Sequence, residues 1–224
     1  MIQHRTLAIL YFLVALLLPL SSQAEPPTDP PATDAIQRSI KLALELLRDP
    51  AMAKPDMLES RRDKLRALIY GHFDFAMMSR GAIGSYWSNF TQKQKESFID
   101  LFRQTLEDAY LDKVESYRGK GAEFAPEQRK SARIIILDSH VDLGGTPIKL
   151  TYLCLETPQG WKVVDLVLEG VSIIANYRKQ FQYLLQQHEV EEMLEMLRKK
   201  IESNRQARMH VIDEAKAAEK ASNL

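Results

Sequence analysis

Apolar positions recur at helical spacing in the first ordered stretch of the chain. Ile36, Ile40, Ala43, Leu44 and Leu47 mark one face of a helix over Asp34–Arg48, which Asp49–Pro50 closes. Asp56 followed three residues later by Glu59 has the form of a capping box, and predicts a helix running to about Gly71. The stretch His72–Asn89 is dense in aromatic residues, Met and Gly, and reads as short helices with tight joints. Thr91 with Gln94 is a second capping box. The helix it opens is expected to reach about Tyr117. Its broad apolar face carries Phe98, Leu101, Phe102, Leu106, Ala109, Tyr110, Val114 and Tyr117, and Gly119 and Gly121 end it.

Beyond Gly121 the period changes. Ala132–Leu143, Ile148–Thr157 and Trp161–Leu168 read as strands, with a weaker one near Ala122–Phe124. The turn Thr157–Gly160 makes the last two long strands a hairpin. Strict alternation puts Ile148, Leu150, Tyr152 and Cys154 on one face of their strand. It puts Trp161, Val163, Asp165 and Val167 on one face of the next. Both faces carry apolar residues, so helices are expected over much of the sheet. A Glu169–Gly170 breaker follows. Helical spacing then resumes over Val171–Gln187 and Val190–Ile201, before a highly charged stretch from Glu202.

The N-terminus reads as a secretory signal over residues 1–24. It has Arg5, an apolar run Leu7–Leu18, helix-breaking Pro19, and Ser22 and Ala24 at the small-residue cleavage positions. The run is shorter than the ~20 residues a membrane span needs. Cleavage leaves about 200 residues, enough for one domain or two small ones. The expected division is a Pro-rich leader over residues 25–33, a main domain over 34–201, and a charged helical tail over 202–224. Lys+Arg number 30 and Asp+Glu 30; losing Arg5 gives 29 − 30 = −1. Near-neutrality argues against a nucleic-acid ligand, which calls for a basic stripe. The single Cys154 has no internal disulfide partner, and an oxidising compartment favours its burial.

Catalytic chemistry finds little to work with. The five histidines have no metal-ligand spacing, and neither a phosphate-binding loop nor a dinucleotide fingerprint is present. Ser172 lacks the second Gly of a nucleophile elbow and fits the N-terminal end of a helix instead. Asp165 and Glu169 are the one carboxylate pair worth weighing. An apolar wall beside Asp165 would suit an isomerase, whereas pairing with Arg178 or Lys179 is the structural alternative and the preferred one. Arg178 itself fits either a phosphate at a pocket mouth or a fixed salt bridge.

Several strings resemble a known family. They are Gly84–Ser85–Tyr86–Trp87 followed by Thr91 and Gln94; Phe102, Leu106, Tyr110 and Tyr117; and Trp161–Asp165, Glu169–Ser172, Asn176–Arg178 and Gln180–Phe181. Over roughly Asp34–Ile201 the chain resembles MlaC, the toluene-tolerance family of periplasmic phospholipid-binding proteins of the bacterial Mla transport system. The resemblance implies an α+β fold: a twisted antiparallel sheet of about four strands, like the NTF2 cone, covered by helices. Between sheet and helices it implies a lipid cavity. It implies a periplasmic carrier with a bound phospholipid as cargo, its acyl tails in the cavity and its headgroup near solvent; the chain is expected to be a monomer and not an enzyme, with no cofactor and, from the lack of ligand pairs, no metal. The implied partners are an outer-membrane lipoprotein–porin complex and an inner-membrane ABC transporter with its MCE-domain subunit.

The expected cavity wall is the inward side of sheet and helices: Phe98, Phe102, Leu106, Tyr110, Leu150, Tyr152, Trp161, Val163, Val167, Ile174 and Tyr177. Both tails of a diacyl lipid call for a volume on the order of 1,000 Å³, the top of the usual ligand range. Headgroup contact is expected to be loose. Two other readings stand beside this one: a cone-fold enzyme using Asp165 on a hydrophobic substrate, and a ligand-free periplasmic adaptor gripping a partner through the helix beyond Glu189.

Overall fold

Side-chain caps set most of the points where the chain changes course in the computed structural model, which describes residues 32–115, 121–142 and 147–222. The Thr91–Gln94 box forms as predicted: Gln94 N–H donates to Thr91 Oγ1 at 3.3 Å and Thr91 N–H to Gln94 Oε1 at 3.0 Å. It opens α4 (Gln92–Glu115). Asp74 accepts from Met77 N–H at 2.8 Å and caps α3 (Phe75–Ile83). The Asp56–Glu59 box does not form. Pro55 starts a short 3-10 turn, Pro55–Met57, so Asp56 already lies inside a helical turn when α2 (Leu58–Ile69) begins. The entry of α1 (Asp34–Arg48) is held from a distance: the Thr33 N–H and hydroxyl both donate to the Glu127 carboxylate, at 2.6 and 2.5 Å.

The sheet is antiparallel throughout, with six strands rather than about four. Its path is β1 (Ala122–Phe124), β3 (Ile134–Asp142), β4 (Pro147–Thr157), β5 (Gly160–Leu168) and β6 (Val171–Ser172), while β2 (Gln128–Ser131) also pairs with β3. Strands β1 and β2 run along the same edge of β3, opposite Ser139–Val141 and Ile134–Ile136 respectively. Between them lies Glu127, the residue that holds α1. Strand β2 is wholly exposed and polar, so no alternation betrays it; a charged edge of this kind resists pairing with another chain. Strand β6 is two residues long. Glu169 (φ 48°) and Gly170 (φ 81°) form the two-residue turn before it, both left-handed as a type I′ hairpin requires. Glu169 is held there by two bonds to Lys149: its N–H donates to the Lys149 carbonyl at 3.1 Å, and its carboxylate accepts from Lys149 N–H at 2.5 Å.

The last two helices are α5 (Ile173–Leu185) and α6 (Val190–Ser222), the latter unbroken past Glu202. Ser172 does not lie inside α5 but caps it, accepting from Ala175 N–H at 2.9 Å. Three groups of buried side chains hold these elements together. The largest joins α3, α4, α5 and α6 around Phe98, Phe102, Phe181, Met193 and Leu194. A second lies on the sheet, where Ile135, Leu137, Tyr152, Cys154 and Val163 meet Ile36 of α1. The third joins α1 and α2 to the sheet through Ala43, Leu47, Leu65 and Val141.

Helices α3 and α5 approach closely at Gly81. A Cβ there would stand 2.9 Å from Ile174 Cγ2, a branched atom buried in the helical core and unable to swing away. The Gly81→Val variant therefore overpacks this contact. It is expected to lose about 2 kcal/mol of stability, read as a lower urea midpoint with an unchanged m-value.

Candidate functional site

The three buried groups do not close on one another. Where they meet, a cavity of about 530 Å³ remains. Helix α1 contributes Ile40, Leu44 and Leu47 to its wall, and α2 contributes Ile69. Phe73, Phe75 and Met78 come from the start of α3 and the turn before it. The sheet supplies Val141, Ile148, Leu150, Tyr152, Leu166 and Leu168, and α5 supplies Ile173. Helix α4 gives Leu106 and Tyr110, and with them the two charged residues of the wall, Arg103 and Glu107. The surface is otherwise aliphatic and aromatic. An apolar void of this kind offers dispersion contacts and no hydrogen bonds, which suits hydrocarbon and excludes ordered water.

A β-bulge decides which residues of β5 reach the cavity. Leu153 pairs with Asp165 and Cys154 with Val163, so Val164 is an extra residue in β5. Before it, odd positions face the buried side; after it, even positions do. Tyr152 therefore sits opposite Leu166 and Leu150 opposite Leu168, and all four line the void. Val163 is fully buried in the sheet core, and Val167 lies on the other face, opposite Thr151 and Ser172. Strict alternation through β5 leads to Val163 and Val167; the bulge puts Leu166 and Leu168 in their place.

The charged corner on α4 is a network. Arg66 donates to Glu107 through Nε at 2.9 Å and also through its terminal nitrogen, and the Tyr70 hydroxyl donates to the same carboxylate. The Arg103 guanidinium lies 5.3 Å from the centre of the Tyr70 ring and pairs with Asp100. Burial alone would raise the Glu107 pKa. Hydrogen bonds from Arg66 and Tyr70 and the charges of Arg66 and Arg103 outweigh it, holding the carboxyl below its ordinary value. Burial, and then the bond to Glu107, pushes the Tyr70 hydroxyl up to about 12. Tyr152 is likewise raised to about 12 by burial, and receives a 3.3 Å hydrogen bond from Ser139. Both phenols stay neutral at physiological pH.

Of the wall expected from sequence, Leu106, Tyr110, Leu150 and Tyr152 line the cavity. Phe98, Phe102, Ile174 and Tyr177 do not: they belong to the solid helical core. There Phe98 stacks on Phe102 at 5.6 Å and meets Phe181 edge-on at 5.1 Å, and Tyr177 meets Phe102 edge-on at 5.2 Å. Because α5 starts only at Ile173, it is Ile173 and not Ile174 that faces the void. Trp161 packs at the edge of the sheet core, with Arg129 5.4 Å from its ring centre. The α1 stripe was visible as periodicity at Ile40, Leu44 and Leu47, but nothing in it distinguishes a cavity wall from a packed face.

The remaining candidates have structural work. Asp165 accepts from Ile174 N–H at 3.2 Å and from the Ser172 hydroxyl at 2.6 Å, so it caps α5 and does not pair with Arg178 or Lys179. Arg178 Nε donates to the Gly81 carbonyl at 2.6 Å and ties α5 to α3; it is absent from the cavity wall. Cys154 is free and buried, and burial pushes its thiol up to about 12, leaving it unreactive. Among the described residues no group of three or more His, Cys, Asp or Glu is placed to hold a metal ion, and no helix is long and apolar enough to cross a membrane.

Two outcomes follow from this geometry. Asp165→Ala is expected to cost about 1–2 kcal/mol of stability by chemical denaturation, the usual loss of a cap, without altering what the cavity holds. Glu107→Gln is expected to lower stability at neutral pH. The depressed Glu107 pKa makes its contribution complete above the unfolded value near 4.3 and lost as pH falls through the folded one. The gap between variant and parent therefore closes on acidification, measured as urea midpoints across a pH series.

Comparison with known proteins places this geometry. The sequence model of the MlaC protein family matches residues 37–199. Among solved structures the fold is similar to that of the phospholipid-binding protein from Ralstonia solanacearum, determined in complex with a phospholipid. That match has a TM-score of 0.70 and 21% identity, and covers 78% of this chain and 99% of the other. With the family model spanning well over half its length, the chain belongs to the MlaC family, one of non-enzymatic lipid-binding carriers.

Proposed function

We propose that this protein carries phospholipid through the periplasm, sheltering acyl chains in the cavity between sheet and helices. The observation that carries the reading is the apolar void of about 530 Å³ walled by Leu44, Leu47, Leu106, Leu150 and Leu166. At ~24 cal/mol for each Å³ of unfilled space, such a void kept dry and empty would cost on the order of 10 kcal/mol. The whole net stability of a domain is only ~5–15 kcal/mol. A hydrocarbon occupant removes that cost. Each methylene moved from water to the wall gains about 0.8 kcal/mol, so a diacyl lipid with ~30 of them gains up to ~20 kcal/mol, an upper bound.

The same arithmetic dictates how the carrier works. Release of lipid into water is prohibitive, whereas exchange between a bilayer and the cavity is near balance, because the tails are shielded in both. Loading and unloading therefore take place while docked to membrane complexes. The export signal over residues 1–24, which lies outside the described residues, puts the protein between two membranes. Its partners in this reading are an outer-membrane lipoprotein–porin complex and an inner-membrane ABC transporter with an MCE-domain subunit. The void is about half the volume expected for both tails of a diacyl lipid, so the second chain is accommodated by displacement of the wall or beyond it.

Native protein extracted with organic solvent is expected to yield phospholipid by mass spectrometry, near one molecule per chain. Leu150→Trp fills the cavity from the sheet side. Excluding as few as two methylenes lowers retention about tenfold, so the extracted lipid should fall by at least that much. Thermal stability should stay equal or rise, because the added ring occupies the void. A folded Leu150→Trp protein with undiminished lipid would overturn the reading.

A further inference from the structure

On the sheet side of the cavity one residue breaks the apolar surface. Tyr152 lines the void and is 3% exposed, and its hydroxyl meets that of the fully buried Ser139. Strand register fixes where the two oxygens lie. Tyr152 stands opposite Leu137, yet its hydroxyl reaches two residues along β3 to Ser139. Ser139 stands opposite Leu150, and the next residue on its face, Val141, stands opposite Ile148. Leu150, Val141 and Ile148 all line the void, so the hydroxyl pair is set among cavity residues and not in the solid part of the sheet core.

The hydrogen bonds of this pair are incomplete. Ser139 Oγ donates to the Tyr152 hydroxyl oxygen at 3.3 Å. Two O–H groups share that one bond, so one proton is left over, and among the described residues no oxygen accepts it. Tyr152 is part of the cavity wall and Ser139 lies behind it, so the spare proton is the one on Tyr152. Buried donors in folded proteins nearly always find an acceptor, because an unmade bond there is destabilising. We infer that Tyr152 is a specificity-determining residue of the cavity, donating its hydroxyl proton to a carbonyl oxygen of the lipid. The inference rests on the proposed function, because it takes lipid as the occupant of the cavity. A carbonyl matches the spare donor: it accepts and brings no proton of its own, whereas a hydroxyl on the chain would bring a second donor to bury. Two lipid carbonyls have this chemistry, the ester that joins a chain to glycerol and a ketone left along a chain by oxidation. A chain that places only methylene here leaves the proton unpaired, so the site discriminates by oxygen and not by length alone.

The test exchanges lipid into the full chain from vesicles holding equal amounts of three phosphatidylcholines. One has plain ester-linked chains, one has plain ether-linked chains, and one has ester-linked chains carrying a ketone near the middle. Bound lipids are resolved by mass spectrometry and expressed as ratios relative to the vesicles. Tyr152→Phe removes only the phenolic oxygen. It is expected to lower one preference of the parent about fivefold, the usual worth of one neutral hydrogen bond. A fall in the ester-to-ether ratio identifies the ester carbonyl; a fall in the ketone-to-plain-ester ratio identifies the ketone. Ser139→Ala leaves the Tyr152 proton in place and is expected to keep both ratios within about twofold of the parent. Ratios in Tyr152→Phe equal to those of the parent overturn the inference in favour of a bound water and leave the cavity reading standing. An equal fall in both variants assigns the effect to packing and overturns the donor role as well. Absence of lipid from the parent overturns both readings.

Discussion

Three separately packed cores that fail to merge are the constraint on which this molecule depends. Each is dry and well filled: the aromatic block of α3–α6, the layer on the sheet under α1, and the α1–α2 corner. Their junction is not: a gap of about 530 Å³ remains there. The fold thereby separates two tasks that compete in most small proteins. Rigidity resides in the Phe98–Phe102–Phe181 block, where rings meet at 5.1–5.6 Å. Capacity resides in the gap, bounded by flexible aliphatic side chains.

Helix α4 is the element that serves both. Its apolar side holds Phe98 and Phe102 in the aromatic block and Leu106 and Tyr110 at the void, and the same turns carry Arg103 and Glu107. A charged pair at the margin of an oily space would be costly if left bare. Here Arg66, Tyr70 and Asp100 complete its hydrogen bonds, so the charges persist beside hydrocarbon and define where it ends.

Much of this architecture was legible from residues alone, and the failures are local. Helices α1, α2, α4 and α5 and the three long strands appear within a few residues of their expected bounds, because each buries a continuous stripe or alternating row; α6 starts as expected at Val190 but runs on past Ile201 to Ser222. The edge strand β2 escaped because Gln128–Ser131 buries nothing. The Asp56–Glu59 box was expected and does not form, because Pro55 imposes its own turn first. The cavity wall was the least legible part. Leu106, Tyr110, Leu150 and Tyr152 were found, yet Phe98, Phe102, Ile174 and Tyr177 have the same chemistry and lie in solid core. Apolar periodicity reports that a face is shielded from water; whether it meets side chains or a gap depends on how three distant groups come together.

The extra residue at Val164 means that β5 is written in two reading frames. The first half keeps its oil-facing letters at odd positions, the second at even ones, and a pattern counted straight through assigns half of them to the wrong side. Asp165 stands just past the splice, where its carboxylate reaches the end of α5 instead of the hydrocarbon. Pairing the same residues without the bulge would exchange the two: an acid would turn toward the lipid space and a leucine toward the helix end. One inserted amino acid thus lets a single strand lend greasy surface to a container and a polar anchor to the scaffold around it.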